Sequence, residues 1–139
     1  MLIAIDGPAG AGRSSVAKAL AEAIAFTYLD SGAMYRCVAA AALDRGLDPA
    51  DAEAAAPVAD SVKIEFDGDR VRLDGREADA LIRTPEVTEA ASRISIHPGV
   101  RAALVAEQRR SIEGGRYVAE GRDIGIAQII RALGSLRLF

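Results

Sequence analysis

The chain has 139 residues, one cysteine, a hydrophobic share of 50% and a formal net charge of −3. That length suits one domain with a buried core, and the absence of a basic excess argues against nucleic acid as a partner. A single cysteine excludes an internal disulfide framework, and no apolar run reaches the roughly 20 residues that a membrane span needs. We therefore expect a cytoplasmic monomer that binds neither membranes nor nucleic acid.

The first predicted elements are a strand and a helix that are joined by a glycine-rich stretch. The apolar run Leu2 to Ile5 predicts a short buried strand. Val16, Leu20 and Ile24 recur every four residues, which predicts a helix with these three side chains on its buried face. The connecting sequence "GPAGAGRSS" then lies between a strand end and a helix N-terminus.

This glycine-rich stretch has the composition of a phosphate-binding loop. Glycines leave backbone N–H groups free to point at a phosphate, and the helix dipole adds to the attraction. The predicted nucleotide-binding residues are Gly7, Pro8, Ala9, Gly10, Ala11, Gly12, Arg13, Ser14 and Ser15. Ser14 or Ser15 can offer a hydroxyl to Mg²⁺ or to a phosphate oxygen, and we expect Ser14 to be the Mg²⁺ ligand. The alternative is a glycine turn that only caps a helix.

Arg13 departs from the usual loop, in which a lysine stands at this position. A lysine ammonium is a compact point charge, whereas a guanidinium is a wide planar fork. We therefore expect nucleotide binding to persist while phosphoryl transfer is impaired.

A second strand and two helices are predicted next. Phe26 to Leu29 reads as a short strand, and a turn follows at Asp30 to Gly32. The next helix buries an apolar stripe that consists of Met34, Val38 and Ala42. Asp48 followed by Pro49 predicts the start of a further helix, with Asp48 as its cap.

The pattern then changes to strict alternation, which is typical of strands. Val62 to Phe66 and Val71 to Leu73 flank Asp67-Gly68 and predict a hairpin, and a short third strand follows Asp74-Gly75. We expect residues 61–84 to form a small β insert.

Two helices and a strand complete the pattern. Thr84-Pro85 and Pro98 mark the two helix starts, and the second helix is predicted to bury Val100, Leu104 and Val105. Tyr117 to Ala119 predicts a strand that runs into "EGRD", and "LRLF" predicts the start of a central strand. We expect the single histidine, His97, to lie in the turn before Pro98, without a catalytic role.

This order of elements predicts an α/β fold with a parallel sheet and an inserted antiparallel subdomain. Ligands of such sheets lie beyond the carboxyl ends of the strands. Three segments follow predicted strand ends: the glycine-rich loop, Asp30-Ser31 and Arg122-Asp123. We expect all three to meet at one edge of the sheet.

Five stretches together resemble the bacterial cytidylate kinase family, in the same order along the chain. They are "IAIDGPAGAGRSSVAKALAEAI", "YLDSGAMYR", "IRTPEVTEAASRIS", "HPGVRAAL" and "YVAEGRDIG". The resemblance runs from about Leu2 to Gly125, and the second and fifth stretches are its most specific parts. It implies a partial P-loop nucleoside monophosphate kinase domain over residues 1–139, incomplete at its C-terminus. The reaction implied is transfer of the ATP γ-phosphoryl group to CMP or dCMP, with Mg²⁺ as cofactor.

The resemblance also assigns roles to individual residues. It implies that Arg36 and Arg122 hold the CMP phosphate, that Ser92, Arg101 and Asp123 face the cytosine, and that Ser31 contacts the same nucleotide. The candidate catalytic residues are Arg13, Arg36, Arg122 and Asp123. For Arg36, Ser92, Arg101 and Asp123 the alternative is an ordinary surface or turn residue.

Two departures from the family pattern affect the expected activity. One is Arg13; the other is that "IAQIIRALGSLRLF" does not reproduce the family sequence after Gly125, and the family's arginine-rich lid has no counterpart. We therefore expect a truncated homologue that is a poor catalyst or inactive in isolation. Its alternatives are a non-catalytic nucleotide-binding module and a different P-loop protein, such as a GTPase or a shikimate-type kinase.

Overall fold

The computed structural model describes residues 1–5 and 15–120, and the backbone alone of residues 13–14 and 136–138. Two compact units are found, Met1–Asp30 with Glu107–Phe139 (unit 1) and Ser31–Ala106 (unit 2). The helices are α1 Arg13–Ala23, α2 Ser31–Asp44, α3 Ala52–Ser61, α4 Asp79–Ile82, α5 Pro85–Ile94 and α6 Pro98–Glu113. The strands are β1 Leu2–Ile5, β2 Thr27–Leu29, β3 Ile64–Asp67, β4 Arg70–Leu73, β5 Arg76–Glu77, β6 Tyr117–Glu120 and β7 Leu136–Leu138.

Unit 1 is built on a parallel sheet with the strand order β2-β6-β1-β7. In register, Ile5 at the end of β1 pairs with Glu120 at the end of β6, and Leu29 at the end of β2 pairs with Ala119. Parallel pairing places the carboxyl ends of these three strands at the same edge. The sheet and its helices confirm the predicted α/β class. β7 confirms a strand at "LRLF", but at the end of the described strand order and not at its centre.

Helix α1 packs on this sheet through a different face from the predicted one. Ala17 and Ala21 are 0% and 3% exposed, whereas Val16 is 54% and Ile24 is 38% exposed. The prediction was therefore wrong for Val16 and Ile24, whereas Leu20 is half-buried and packs against the core. Small side chains four residues apart let the helix backbone approach the strands closely, and in unit 1 this outweighs the larger apolar area of the neighbouring stripe.

Unit 2 has a helical core in which α2 packs against α5 and α3. Met34, Val38 and Ala42 are all buried on α2, which confirms the predicted stripe. The first turn of α6 also lies close to α3, because a Cβ added to Gly99 would lie 2.9 Å from the Ala56 Cβ. Small residues thus set the helix spacing in this unit.

The helix ends of unit 2 show one correct and one wrong cap prediction. Thr84 caps α5, with its hydroxyl accepting a hydrogen bond from the Val87 N–H. The cap of α3 is Asp51, which accepts from the Glu53 N–H and Ala54 N–H, and not Asp48. The Asp48 carboxylate instead accepts from the Ala50 N–H, so residues 48–51 form a turn before the helix.

The predicted small sheet is present, with antiparallel order β3-β4-β5. Asp74 and Gly75 form the second loop with φ of 51° and 81°, conformations that Asp-Gly pairs tolerate. That residues 61–84 are an insert in a single kinase domain remains a prediction. Among the described residues, no helix combines the length and apolar character required to cross a bilayer.

Helix α6 buries a different set of residues from the one expected. Val100 and Leu104 are 0% and 1% exposed as predicted, but Val105 is half-buried. Gln108 and Ile112 are buried instead, at 0% and 1% exposure. Both lie on the stripe that continues from Leu104 at intervals of four residues.

Candidate functional site

In unit 1 the candidate phosphate site lies at the edge where β1, β2 and β6 end. Strand β1 ends at Ile5 and α1 begins at Arg13, so the glycine-rich stretch joins a strand end to a helix start as predicted. The loop residues Gly7, Pro8, Ala9, Gly10, Ala11 and Gly12 lie outside the described residues. Their contacts remain a prediction.

The start of α1 supplies the other predicted phosphate ligands. Arg13 and Ser14 occupy its first turn by backbone, and Ser15 is exposed there. The first N–H groups of a helix have no partner inside the helix and carry a partial positive charge, so an anion is stabilised at this end. The roles of Arg13 and Ser14 remain predictions, because the structure describes only their backbone.

Strand β6 leads into the third predicted segment. It ends at Glu120, and Arg122 and Asp123 follow outside the described residues. β6 lies between β1 and β2 in the sheet, so its end is the central one of the three. Three segments were predicted to begin at one edge of the sheet. The strands that precede them, β1, β2 and β6, end at one edge, so the prediction is confirmed for the strand ends.

A group of polar side chains at this edge was missed by the sequence analysis. The Tyr28 hydroxyl on β2 donates a hydrogen bond to the Glu120 carboxylate on β6. The Lys18 Nζ on α1 lies 5.5 Å from the centroid of the Tyr28 ring, within cation–π range. Tyr28 and Glu120 stand inside two of the stretches quoted for the resemblance, "YLDSGAMYR" and "YVAEGRDIG", and this was the sequence signal for them.

In unit 2 the structure places three of the predicted acceptor-nucleotide residues on α2 and α5, two helices that pack together. Ser31 is the first residue of α2 and Arg36 lies one turn and a half further on; both are half-buried. Ser92 lies exposed on α5, where its hydroxyl donates to the Glu89 carbonyl at 2.6 Å. A hydroxyl with its proton engaged in this way retains lone pairs and can still accept a hydrogen bond.

Arg101, the fourth of these residues, lies half-buried in the second turn of α6. Its guanidinium makes no ion pair or side-chain hydrogen bond with the described residues, whereas Arg109 on the same helix lies 3.9 Å from the Glu113 carboxylate. A half-buried cation without such a partner is suited to an anionic or carbonyl ligand. That Ser31, Arg36, Ser92 and Arg101 share one ligand remains a prediction.

His97 lies in the turn before α6, as expected. The residue is 6% exposed, and Nε2 lies 2.8 Å from the Pro49 carbonyl oxygen. Because a carbonyl oxygen only accepts, Nε2 carries the proton in this contact. The hydrogen bond joins the turn before α6 to the turn before α3.

The comparison with known proteins agrees with the motifs. The family model for cytidylate kinase matches residues 3–133. The chain belongs to the cytidylate kinase family. It is 48% identical over 125 residues to a cytidylate kinase of Solibacter usitatus, a match that covers 90% of this chain and 54% of the relative.

Two further relatives give the same result. Identity to a cytidylate kinase of Mycolicibacterium paratuberculosis is 49% over 130 residues, which covers 90% of this chain and 57% of that protein. A bifunctional pantoate ligase/cytidylate kinase of Synechococcus sp. (strain CC9311) is 47% identical over 131 residues, covering 91% of this chain and 26% of that protein. The chain thus spans about half the length of the cytidylate kinases it matches.

Proposed function

We propose that this chain carries the nucleotide sites of a (d)CMP kinase, which transfers the γ-phosphoryl group of ATP to CMP or dCMP and yields CDP or dCDP. The observation that supports it best is the shared edge of β1, β2 and β6, where the glycine-rich loop and the "EGRD" segment begin. Family membership provides the substrate class. The role proposed is one in pyrimidine nucleotide metabolism in the cytoplasm.

The chemistry requires positioning and charge neutralisation more than acid–base catalysis. The second pKa of a nucleotide phosphate is about 6, so the acceptor is mostly ionised at neutral pH and attacks without a strong base. The arginine fork pairs with two phosphate oxygens at once, which suits Arg36 and Arg122 for holding the CMP phosphate. Arg13 would face the phosphates of ATP.

Discrimination for cytosine follows from hydrogen-bond donors and acceptors. The exocyclic amine of cytosine donates, whereas uracil has a carbonyl oxygen at the same position. The Asp123 carboxylate would accept from the amine and repel the uracil oxygen. Arg101 and Ser92 would complete the recognition of the base.

Mg²⁺ is expected to arrive with the ATP phosphates. Among the described residues, no group of three or more carboxylate, histidine or cysteine side chains is placed to hold a metal ion. The hydroxyl-bearing start of α1 fits a metal whose other ligands are phosphate oxygens and water, and Ser14 is the proposed protein ligand. When bound, Mg²⁺ would neutralise charge on the phosphates.

The proposal is tested by ADP release with ATP and each of CMP, dCMP, UMP and GMP, together with calorimetric titration of the same nucleotides. We expect binding of the cytosine nucleotides, and any turnover to be slow and confined to them. Binding of CMP without turnover would support the non-catalytic alternative, and a preference for UMP or GMP in both assays would refute the assignment. Arg13→Lys is expected to raise kcat by about tenfold or more, since a compact ammonium fits between phosphates better than the planar fork.

A matched pair of arginine variants tests the acceptor site. Arg101→Gln removes the guanidinium that has no ion-pair partner in the described part of the chain, and Arg109→Gln removes one that pairs with Glu113 on the same helix. We expect the first to weaken CMP binding by about tenfold to a hundredfold, the effect of losing a charged hydrogen bond. Arg109→Gln should leave CMP binding unchanged. Equal affinities for the two variants would remove Arg101 from the site.

A further inference from the structure

The start of α6 is joined to the start of α3 by two contacts that the proposed function does not use. The His97 Nε2 donates a hydrogen bond of 2.8 Å to the Pro49 carbonyl oxygen. Two residues further on, Gly99 lies so close to α3 that a Cβ added there would be 2.9 Å from the Ala56 Cβ. All four residues belong to unit 2. We call these two contacts the α6 clamp.

On the α3 side, the clamp is attached to a turn that further hydrogen bonds hold in place. The Asp48 carboxylate accepts from the Ala50 N–H, and the Asp48 carbonyl accepts from the Asp51 N–H. Asp51 in turn caps α3, and α3 packs on α2, the helix that carries Arg36. The Pro49 carbonyl therefore has a defined position relative to α2.

On the α6 side, the clamp leads directly to Arg101, the proposed cytosine ligand. The His97 carbonyl accepts a hydrogen bond of 3.1 Å from the Arg101 N–H, so the two residues share one helical turn. Burial of Val100 and Leu104 keeps α6 on the core, but apolar burial is non-directional and does not fix the rotation of a helix about its axis. A hydrogen bond depends on distance and angle, so the His97 contact restricts that rotation.

We propose that His97 and Gly99 are positioning residues for the acceptor nucleotide: they hold the first turn of α6 in the orientation in which the Arg101 guanidinium binds CMP. The inference rests on the proposed function, because it concerns the CMP site. Neither residue need touch the nucleotide. Without the clamp, Arg101 has more orientations to lose when CMP binds, and the affinity falls.

The first experiment is a calorimetric titration with CMP, without ATP, of the whole chain and of two His97 variants. His97→Phe keeps a ring and removes the donor, and we expect it to weaken CMP binding about threefold to tenfold, the effect of one hydrogen bond between uncharged groups. His97→Gln retains an N–H donor at a similar distance from the backbone and should stay within about twofold of the wild type.

The matched control is Ser61→Ala, at the other end of α3. It removes the 2.9 Å hydrogen bond that the Arg45 guanidinium donates to the Ser61 hydroxyl and leaves the clamp intact. We expect it to bind CMP like the wild type.

Coupling to Arg101 separates positioning from a loss of stability. In an Arg101→Gln background, His97→Phe should weaken CMP binding by no more than about twofold further, because the side chain that it positions is gone. In an Arg109→Gln background it should keep its full effect. A His97 that only stabilises the fold predicts the same effect in both backgrounds.

The second contact of the clamp gives an independent test, which also decides if His97→Phe does not fold. Gly99→Ala places a methyl group too close to Ala56 and should weaken CMP binding by at least about threefold, because α6 must shift away from α3. The double variant Gly99→Ala with Ala56→Gly removes the overlap and should return to within about twofold of the wild type.

Circular dichroism establishes which variants fold. A folded His97→Phe or Gly99→Ala variant that binds CMP like the wild type overturns the inference, and so does an equal effect of His97→Phe in the two arginine backgrounds. If the wild-type chain itself binds no CMP, the proposed function fails before any variant is compared. Failure of the inference alone shows as a wild type that binds CMP and variants without the expected losses.

Discussion

Helix α1 in unit 1 and helix α2 in unit 2 use small residues for different purposes. In unit 1, Ala17 and Ala21 of α1 allow a helix to lie close to a parallel sheet, and the larger Val16 remains exposed. In unit 2 the alanines of α2 flank large buried side chains such as Met34, and α5 contributes Ile94. A core built with large side chains loses most when one is truncated, whereas a close helix–sheet contact loses most when a small one is enlarged.

The largest change in stability is expected in unit 2, where two isoleucines that stand two residues apart differ in burial. Ile94 is 0% exposed and Ile96 is 71% exposed. Ile94→Ala should lower the free energy of unfolding by about 2–5 kcal/mol, because the variant buries less apolar surface and also leaves a cavity in the core. Urea unfolding measures it. Ile96→Ala should stay within about 0.5 kcal/mol of the wild type, and a similar loss for both would contradict the packing described for α5.

The matching test in unit 1 enlarges a side chain. Ala17→Leu on α1 should destabilise the chain by about 1–3 kcal/mol, because no space remains between helix and sheet at a 0% exposed Cβ. Val16→Leu, one residue earlier and 54% exposed, is the control and should change stability little. Equal stabilities of the two variants would contradict the tight packing of Ala17 and favour the Val16 face that the sequence pattern predicted.

These helices also show where sequence patterns succeed and fail. Two signals that act within a few residues were confirmed: Thr84-Pro85 starts α5, and Asp74-Gly75 turns the chain between β4 and β5. A third was wrong, because α3 is capped by Asp51 and not by Asp48. The buried face of α1 was missed because periodicity identifies a stripe by hydrophobic size, while close packing against a sheet selects small residues. The face of α1 that is buried depends on the strands against which the helix packs, so the helix sequence alone does not show it.

The candidate site divides in the same way. The strand–loop–helix placement of the glycine-rich stretch followed from the order of residues, and β1 and α1 confirm it. The contact between Tyr28 and Glu120 could not be predicted, because it joins residues 92 positions apart whose proximity depends on the order of strands in the sheet. Motifs thus locate segments, but the pairing of strands decides which side chains meet.

A smaller effect is expected at the start of α3, where two aspartates compete for the cap position. Asp51→Ala removes a carboxylate that accepts from the Glu53 and Ala54 N–H groups and should cost about 1 kcal/mol. Asp48→Ala removes only the contact with the Ala50 N–H and should cost less. Thermal unfolding monitored by circular dichroism ranks the two. A larger loss of stability for Asp48→Ala than for Asp51→Ala would contradict Asp51 as the cap and support a helix start at Asp48-Pro49.

The smallest effect is expected from the exposed ion pair on α5. Arg93 lies 2.6 Å from the Glu89 carboxylate, one helical turn away, and both side chains are more than half exposed. Arg93→Gln should lower the free energy of unfolding by no more than about 0.5 kcal/mol, because water and salt screen such pairs. The loss should shrink further in 0.5–1 M salt, where the Debye length falls to roughly 3–4 Å. Urea unfolding at low and high salt measures both values.

The same substitution at Arg83, which forms no ion pair with the described residues, is the control, and its stability change should not depend on salt. An equal salt dependence at both positions would assign the effect to the net charge of the chain instead of the pair, since each variant removes one positive charge from a chain of −3.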